Sequence, residues 1–193
     1  MSFLVFGYGS LVNRATLPPV LDAWPATVTG WRRAWKASSK TPRGGVCALS
    51  VHEGEGAIEG FILRFEETEW PTIAQREYRY DPLTVDVDGK DVTLFRAKAE
   101  IDRYGSSANP ISMTYLETTL QGFLHEFGED GLFRFMDSTD GWHVPILDDR
   151  ANPRYPRAQL LSNAERQLVD EALKGVDATV IPASGEGSLS IRR

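Results

Sequence analysis

The chain has one cysteine, Cys47, three histidines and three methionines in 193 residues. A lone thiol excludes an internal disulfide and a multi-cysteine zinc site. Its neighbours Val46, Ala48 and Leu49 predict a buried, unreactive group. His52, His125 and His143 are far apart and none has a partner at metal-ligand spacing, so no metal is expected. The adjacent carboxylates Asp148 and Asp149 read as an exposed acidic loop or as a cation chelate, the exposed loop being the commoner fate. No apolar run reaches the roughly 18 residues of a membrane span. The N-terminus shows no basic region or cleavage site of a signal peptide. A soluble, cytoplasmic protein with no membrane partner is expected. Positive charge is also sparse: 21 Lys+Arg against 27 Asp+Glu leave a net charge of −6. Nucleic acid is not expected as a partner, because phosphate binding needs a concentrated basic face.

What is present begins at the N-terminus. Phe3 to Phe6 is an apolar run suited to a buried strand, and it stops at Gly7-Tyr8-Gly9-Ser10. Glycines on both sides of a tyrosine allow a sharp turn and leave successive N–H groups unobstructed, an arrangement that can hold an anion. A plain strand-end turn without a ligand fits the same residues. Ser10 is not in a serine-hydrolase elbow, since Val12 stands where the second glycine belongs. The turn also lacks the Lys-Ser/Thr pair of a phosphate loop and the third glycine of a dinucleotide fingerprint. No nucleotide cofactor is expected.

Apolar residues make up 41% of the chain, enough for one domain with a proper core. Asn13 to Leu17 reads as a short helix ended by Pro18-Pro19, and residues 26–37 as a strand bulged near Gly30. Residues 41–45 read as a loop. Residues 45–51 and 57–65 read as a hairpin turning at Glu53-Gly54-Glu55-Gly56. Thr68 is a candidate cap for a helix running to about Glu77, with Pro71 in its first turn. Residues 80–87 and 91–99 read as strands joined by Asp88-Gly89, and 102–110 as a polar loop. Leu116, Leu120, Phe123, Leu124 and Phe127 mark one helical face, with Gly128 as its stop. Residues 128–157 read as irregular. Ser162-Asn163-Ala164-Glu165 is a capping box opening a helix that Gly175 closes. The domain is expected over residues 1–182, with a mobile tail at 183–193. Strands come first and helices late, so the fold class is α+β. The pattern carries no signal for an oligomeric state.

One segment suggests chemistry. Gln75-Arg76-Glu77-Tyr78-Arg79-Tyr80 places a carboxylate at a helix-to-strand junction beside aromatics. Against an apolar wall its charged form is disfavoured, which raises its pKa toward the range useful for moving protons. By residue type alone, an exposed Glu77 paired with Arg76 or Arg79 is the preferred reading.

Several pieces in order resemble the γ-glutamylcyclotransferase superfamily, which includes the plant AIG2-like proteins. Phe6-Gly7-Tyr8-Gly9-Ser10-Leu11 with Asn13 is similar to its N-terminal Tyr-Gly-Ser-Leu motif. Val28 to Arg33 resembles the strand that follows, and Ile58-Glu59-Gly60-Phe61-Ile62-Leu63 resembles a later Val-x-Gly-Val strand. Glu77, Tyr80 and Val85 match the element carrying the catalytic glutamate, and Ser112, Tyr115 and Gly122 resemble a late tyrosine segment. Relatives carry one or two glycines between the Glu and the Tyr; here Tyr78-Arg79 makes the spacing at least one residue shorter. Residues beyond 125 have no counterpart. The resemblance implies a mixed β-barrel with helices packed around it. It also implies cofactor-independent conversion of a γ-glutamyl amine or peptide to 5-oxoproline and a free amine. Glu77 would be the acid/base, the backbone N–H groups of Gly9, Ser10 and Leu11 would clamp the substrate carboxylate, Tyr8 would shape the wall, and Tyr80 and Tyr115 would line the pocket. A non-catalytic module binding a small carboxylate, motivated by the shortened spacing, is the alternative. A hydrolase of γ-glutamyl amides is a third reading. The missing glycine pair weighs against the glutathione-specific branch.

Overall fold

The computed structural model describes residues 1–176 and 178–183. It is organised by two long strands, β2 (Asp22–Thr41) and β3 (Gly44–Glu66), which form one antiparallel hairpin turned at Pro42-Arg43. The expected hairpin within residues 45–65 is therefore replaced. Glu53 to Gly56 does not reverse the chain; Gly54, Glu55 and Gly56 form an irregularity in β3 opposite Gly30 of β2. Gly30 and Gly56 both have positive φ (79° and 138°), the conformation glycine tolerates best. This irregularity and a second one between Ala34 and Ala37 bend the ribbon, so its two halves serve different neighbours.

One half of β3 pairs with β1 (Ser2–Gly7), which lies parallel to β5 (Lys90–Ala97). β5 completes the expected hairpin with β4 (Tyr80–Val87) through Asp88-Gly89, both at positive φ. The other half of β3 contacts β6 (Ile111–Ser112), followed by β8 (Ile146–Asp148) and β9 (Val180–Pro182). β7 (Thr139–Asp140) pairs with β2. Among the described residues nine strands thus form one mixed sheet with helices packed on it, an α+β domain as expected.

The residues after Asn13 form two 3-10 turns, Ser10–Val12 and Arg14–Thr16, in place of one helix. Helix α1 spans Trp70–Arg76 with Pro71 in its first turn, as expected. Thr68 does not cap it; it lies inside a preceding 3-10 turn, Glu67–Glu69. Helix α2 runs from Met113 to Asp137 as two helical stretches, and Gly128 (φ 71°, ψ −174°) stops the first of them, as expected, before the second begins. Residues expected to be irregular therefore carry a second helical stretch, whose Leu132 and Phe135 are fully buried. Leu116, Leu120 and Phe123 are also 0% exposed, whereas Leu124 and Phe127 are half-buried against the core. Helix α3 (Asn163–Lys174) opens on the complete Ser162/Glu165 capping box and ends at Gly175. In the tail, residues 184–193 lie outside the described residues, so the expected mobility falls there. Among the described residues no helix is long and apolar enough to cross a membrane.

Asp149 is buried, in contrast to the exposed loop expected. At 1% exposure it accepts hydrogen bonds from Ser112 Oγ (2.6 Å), Thr114 N (2.8 Å), Thr114 Oγ1 (2.9 Å) and Arg154 N (2.8 Å), which ties the start of α2 to the 150–157 segment. Cys47 is buried, and burial pushes its thiol up to about 12. With so little thiolate available, the native protein is expected to resist alkylation at about pH 8, while the denatured chain reacts fully. Prompt labelling of the folded protein, read by mass spectrometry, would contradict this.

Candidate functional site

The site forms where β1 runs out between β3 and β5. After Gly7, Tyr8 continues inward and its hydroxyl donates to Phe95 O (2.7 Å) on β5. The chain then folds into the first 3-10 turn, closed by Val12 N to Gly9 O (2.9 Å). Among the described residues, no acceptor within the protein takes up the N–H groups of Gly9, Ser10 and Leu11. Buried Asn13 pins the turn to α2, donating from Nδ2 to Thr118 O (2.8 Å) and Gln121 Oε1 (3.0 Å).

A second anchor is Arg33 on β2, a fully buried cation that among the described residues has no carboxylate in contact. It donates to Tyr8 O (3.1 Å) and Ser138 Oγ (2.9 Å) and lies over the rings of Phe123 and Phe135, 4.9 and 4.5 Å from their centroids. Burial lowers its pKa to about 9, which leaves the charge largely intact at neutral pH. Reading Val28 to Arg33 only as a strand left this role unseen.

Glu77 stands at the C-cap of α1, with its side chain 14% exposed. Its Oε1 lies 3.4 Å from Arg76 Nε. The same guanidinium donates to Ser10 Oγ (3.1 Å), Thr16 O (2.7 Å) and Thr16 Oγ1 (3.1 Å), so one buried arginine links the acid to the glycine turn. Of the two sequence readings for Glu77, the exposed one fails. Its partner is Arg76, but the pair is withdrawn from bulk water. Burial raises the Glu77 pKa, and the charges of Arg76 and Arg157 lower it by less.

The shortened interval after Glu77 closes as a tight turn, with Tyr80 N donating to Glu77 O (2.8 Å). Arg79 in that turn is held to β2 through Ser39 Oγ (2.7 Å) and Lys40 O (3.1 Å). Tyr80 remains on the pocket wall, where its hydroxyl donates to Leu49 O (2.8 Å). That proton is therefore committed to the protein. Tyr115 enters from the first turn of α2, where its amide donates to the capping Ser112 Oγ (3.3 Å). Burial raises the pKa of the Tyr8, Tyr80 and Tyr115 hydroxyls, and the nearby Glu77 charge adds to each shift. All three stay neutral near pH 7.

These elements surround a small recess of about 30 Å³ lined by Tyr8, Gly9, Ser10, Leu11, Glu77, Tyr80 and Tyr115, with Leu49 and Phe95 as apolar walls. The seven residues to which the resemblance gave catalytic or binding roles all lie on it; Leu49 and Phe95 were missed, being indistinguishable in sequence from core. A water needs roughly 10–15 Å³, so the recess suits a carboxylate and not a whole amino acid. Ser10, Glu77, Tyr80 and Tyr115 also border a wider cavity of about 970 Å³. The recess is thus the inner end of a larger site. Among the described residues, no three His, Cys, Asp or Glu side chains gather as a metal centre would require.

No family model and no curated protein matches this sequence. Solved structures do match it in shape. A structure named gamma-glutamyl cyclotransferase superposes with a TM-score of 0.57 at 13% identity, over 89% of this chain and 99% of that one. An uncharacterized Homo sapiens protein gives 0.54 at 14% identity, over 88% of this chain and 98% of that one. YkqA from Bacillus subtilis gives 0.53 at 20% identity, over 71% of this chain and 55% of its own length. At these identities the likeness speaks for the fold, and the fold of this chain is that of the γ-glutamyl cyclotransferase structures.

Proposed function

We propose that the protein is a cofactor-independent cyclotransferase that converts a γ-glutamyl amine or peptide to 5-oxoproline and the free amine. The observation that carries this reading is a shielded carboxylate, Glu77, facing the same recess as three uncommitted backbone N–H groups. Those amides, from Gly9, Ser10 and Leu11, receive the substrate's α-carboxylate as an anion nest. The rest of the glutamyl group reaches back across Glu77 toward the wide cavity.

In that pose the Glu77 carboxylate takes a proton from the substrate's α-ammonium. The freed nitrogen attacks the γ-carbonyl carbon, and the bond from that carbon to the leaving nitrogen breaks as Glu77 returns the proton there. A second proton passes from the ring nitrogen to the released amine, directly through Glu77 or through solvent, so the enzyme ends in its starting state. Closure of a five-membered ring is intramolecular, and the protein's main contribution is to hold the folded-back conformer. Tyr115, neutral and on the pocket wall, supplies a hydrogen-bond donor near the reacting carbonyl.

The test is 5-oxoproline release from a panel of γ-glutamyl amines and dipeptides. Release of glutamate in its place would assign a hydrolase, and tight binding without turnover would assign a carboxylate-binding module. A pH profile adds an independent check. Glu77 must start deprotonated, and its pKa is raised, so kcat/KM should fall with decreasing pH through a limb lying above the ordinary glutamate value of about 4.3. A limb at or below that value would mean that another group accepts the proton.

A further inference from the structure

The wide cavity has a charge opposite to that of the chain. In a protein of net charge −6, its wall carries five arginines, Arg43, Arg76, Arg79, Arg154 and Arg157, against one carboxylate, Glu77. Three of the five are occupied. Arg76 holds the Ser10 turn, Arg79 holds β2, and Arg43 donates to Pro153 O (2.8 Å). Arg154 and Arg157 differ. Both are half-buried, and among the described residues neither guanidinium meets an acceptor. Between them Tyr155 lines the same cavity, with its ring 5.0 Å from that of Tyr115 and its buried hydroxyl without a hydrogen-bond partner.

The buried Tyr155 hydroxyl is costly unless something accepts from it, and the two half-exposed guanidiniums on the same wall are free to turn to the same acceptor. Their position is set by the fold, because Asp149 holds Arg154 N and the start of α2 together. The inner recess already supplies N–H donors for one carboxylate, so these outer groups are available to a second anion.

We infer that Arg154 and Arg157, with the Tyr155 hydroxyl, form a second anion site that selects substrates whose leaving amine carries a carboxylate. This rests on the cyclotransferase reading above. The leaving group is then an amino acid or a short peptide, which a cavity of about 970 Å³ has room for. Amines that are neutral or carry a further positive charge leave the arginines unpaired or oppose them, and are the poorer substrates. The segment 150–157 thereby becomes the specificity element.

The test compares three γ-glutamyl compounds whose leaving groups are glycine, ethylamine and ethylenediamine: anionic, neutral and cationic. With the unaltered protein, kcat/KM for the anionic compound should exceed that for the neutral one by about tenfold or more, with the cationic compound lowest. Arg154→Gln combined with Arg157→Gln should bring the anionic-to-neutral ratio toward one, and Tyr155→Phe should lower it in part. Turnover of all three compounds at similar kcat/KM overturns the inference and leaves the cyclotransferase reading standing. If none yields 5-oxoproline, that reading falls. Calorimetric affinities of the glycine and ethylamine compounds then decide the anion site separately, and equal affinities would eliminate it.

Discussion

Glu77→Gln is expected to lower kcat/KM for 5-oxoproline formation by about 10²–10⁴-fold, the usual contribution of a positioned acid/base. That corresponds to about 2.7–5.4 kcal/mol of transition-state stabilisation. Glutamine keeps the size and an acceptor oxygen toward Arg76 Nε, now 3.4 Å from Oε1. The linkage through Arg76 to Ser10 and Thr16 has no reason to break, and the glycine turn keeps its anchor. The substitution therefore removes the proton carrier and leaves the pocket in place. Substrate affinity should change far less than turnover. Linkage offers a second readout. Folded Glu77 has the raised pKa, so the native state binds this proton more tightly than the unfolded chain does. Stability of the wild type relative to the variant should rise as pH falls through the folded pKa and level off below the unfolded one. Undiminished 5-oxoproline release by the variant would remove Glu77 from the mechanism.

Gly60→Ala should destabilise the fold by about 3 kcal/mol, the upper end of ordinary overpacking costs. A Cβ at this position would fall on the carbonyl oxygen of Gly7, inside van der Waals contact, and 2.9 Å from Phe6 Cζ. The obstacle is backbone of a central strand and cannot swing aside as the end of a flexible side chain would. Either β1 or β3 must shift, and β1 leads directly into Tyr8 and the glycine turn. For a chain of this length the loss amounts to a fall in Tm of roughly 6–12 °C. Activity of the folded fraction should fall as well. Gly54→Ala is the matched control. Its Cβ would meet only ordinary contacts, the nearest being Arg32 Cδ at 3.5 Å, so the change should stay within about 0.5 kcal/mol. Thermal or urea melts of the two variants decide the matter, and equal midpoints would mean that the Gly7–Gly60 approach is relieved at little cost.

The two variants differ in how far the sequence reveals their sites. Gly60 was noticeable only through its motif, and its reason is a contact between strands that no local pattern reports. Glu77 could be placed at the end of a helix from Pro71 and the spacing to Tyr80. Its direction could not, because a carboxylate at a helix C-cap fits solvent or an apolar wall equally well until the wall is known. Tyr8, Tyr80, Tyr115 and Leu49 make that wall, and they come from four separate stretches of chain.

Local chemistry alone determined the apolar strand Phe3–Phe6 and its glycine turn, the Asp88-Gly89 hairpin and the apolar face of α2. It also determined the Ser162/Glu165 cap, because each depends on residues within a few positions of one another. Only the tertiary structure decided that residues 44–66 form one bent strand. An alternating or apolar run shows that a strand exists but not which neighbour takes its hydrogen bonds. The burial of Arg33 beneath Tyr8, Asp149's place under α2 and the turning of Arg154 and Arg157 toward the cavity belong to the same class. Each depends on partners dozens of residues away, and a charged side chain shows its destination only once the chain has closed around it.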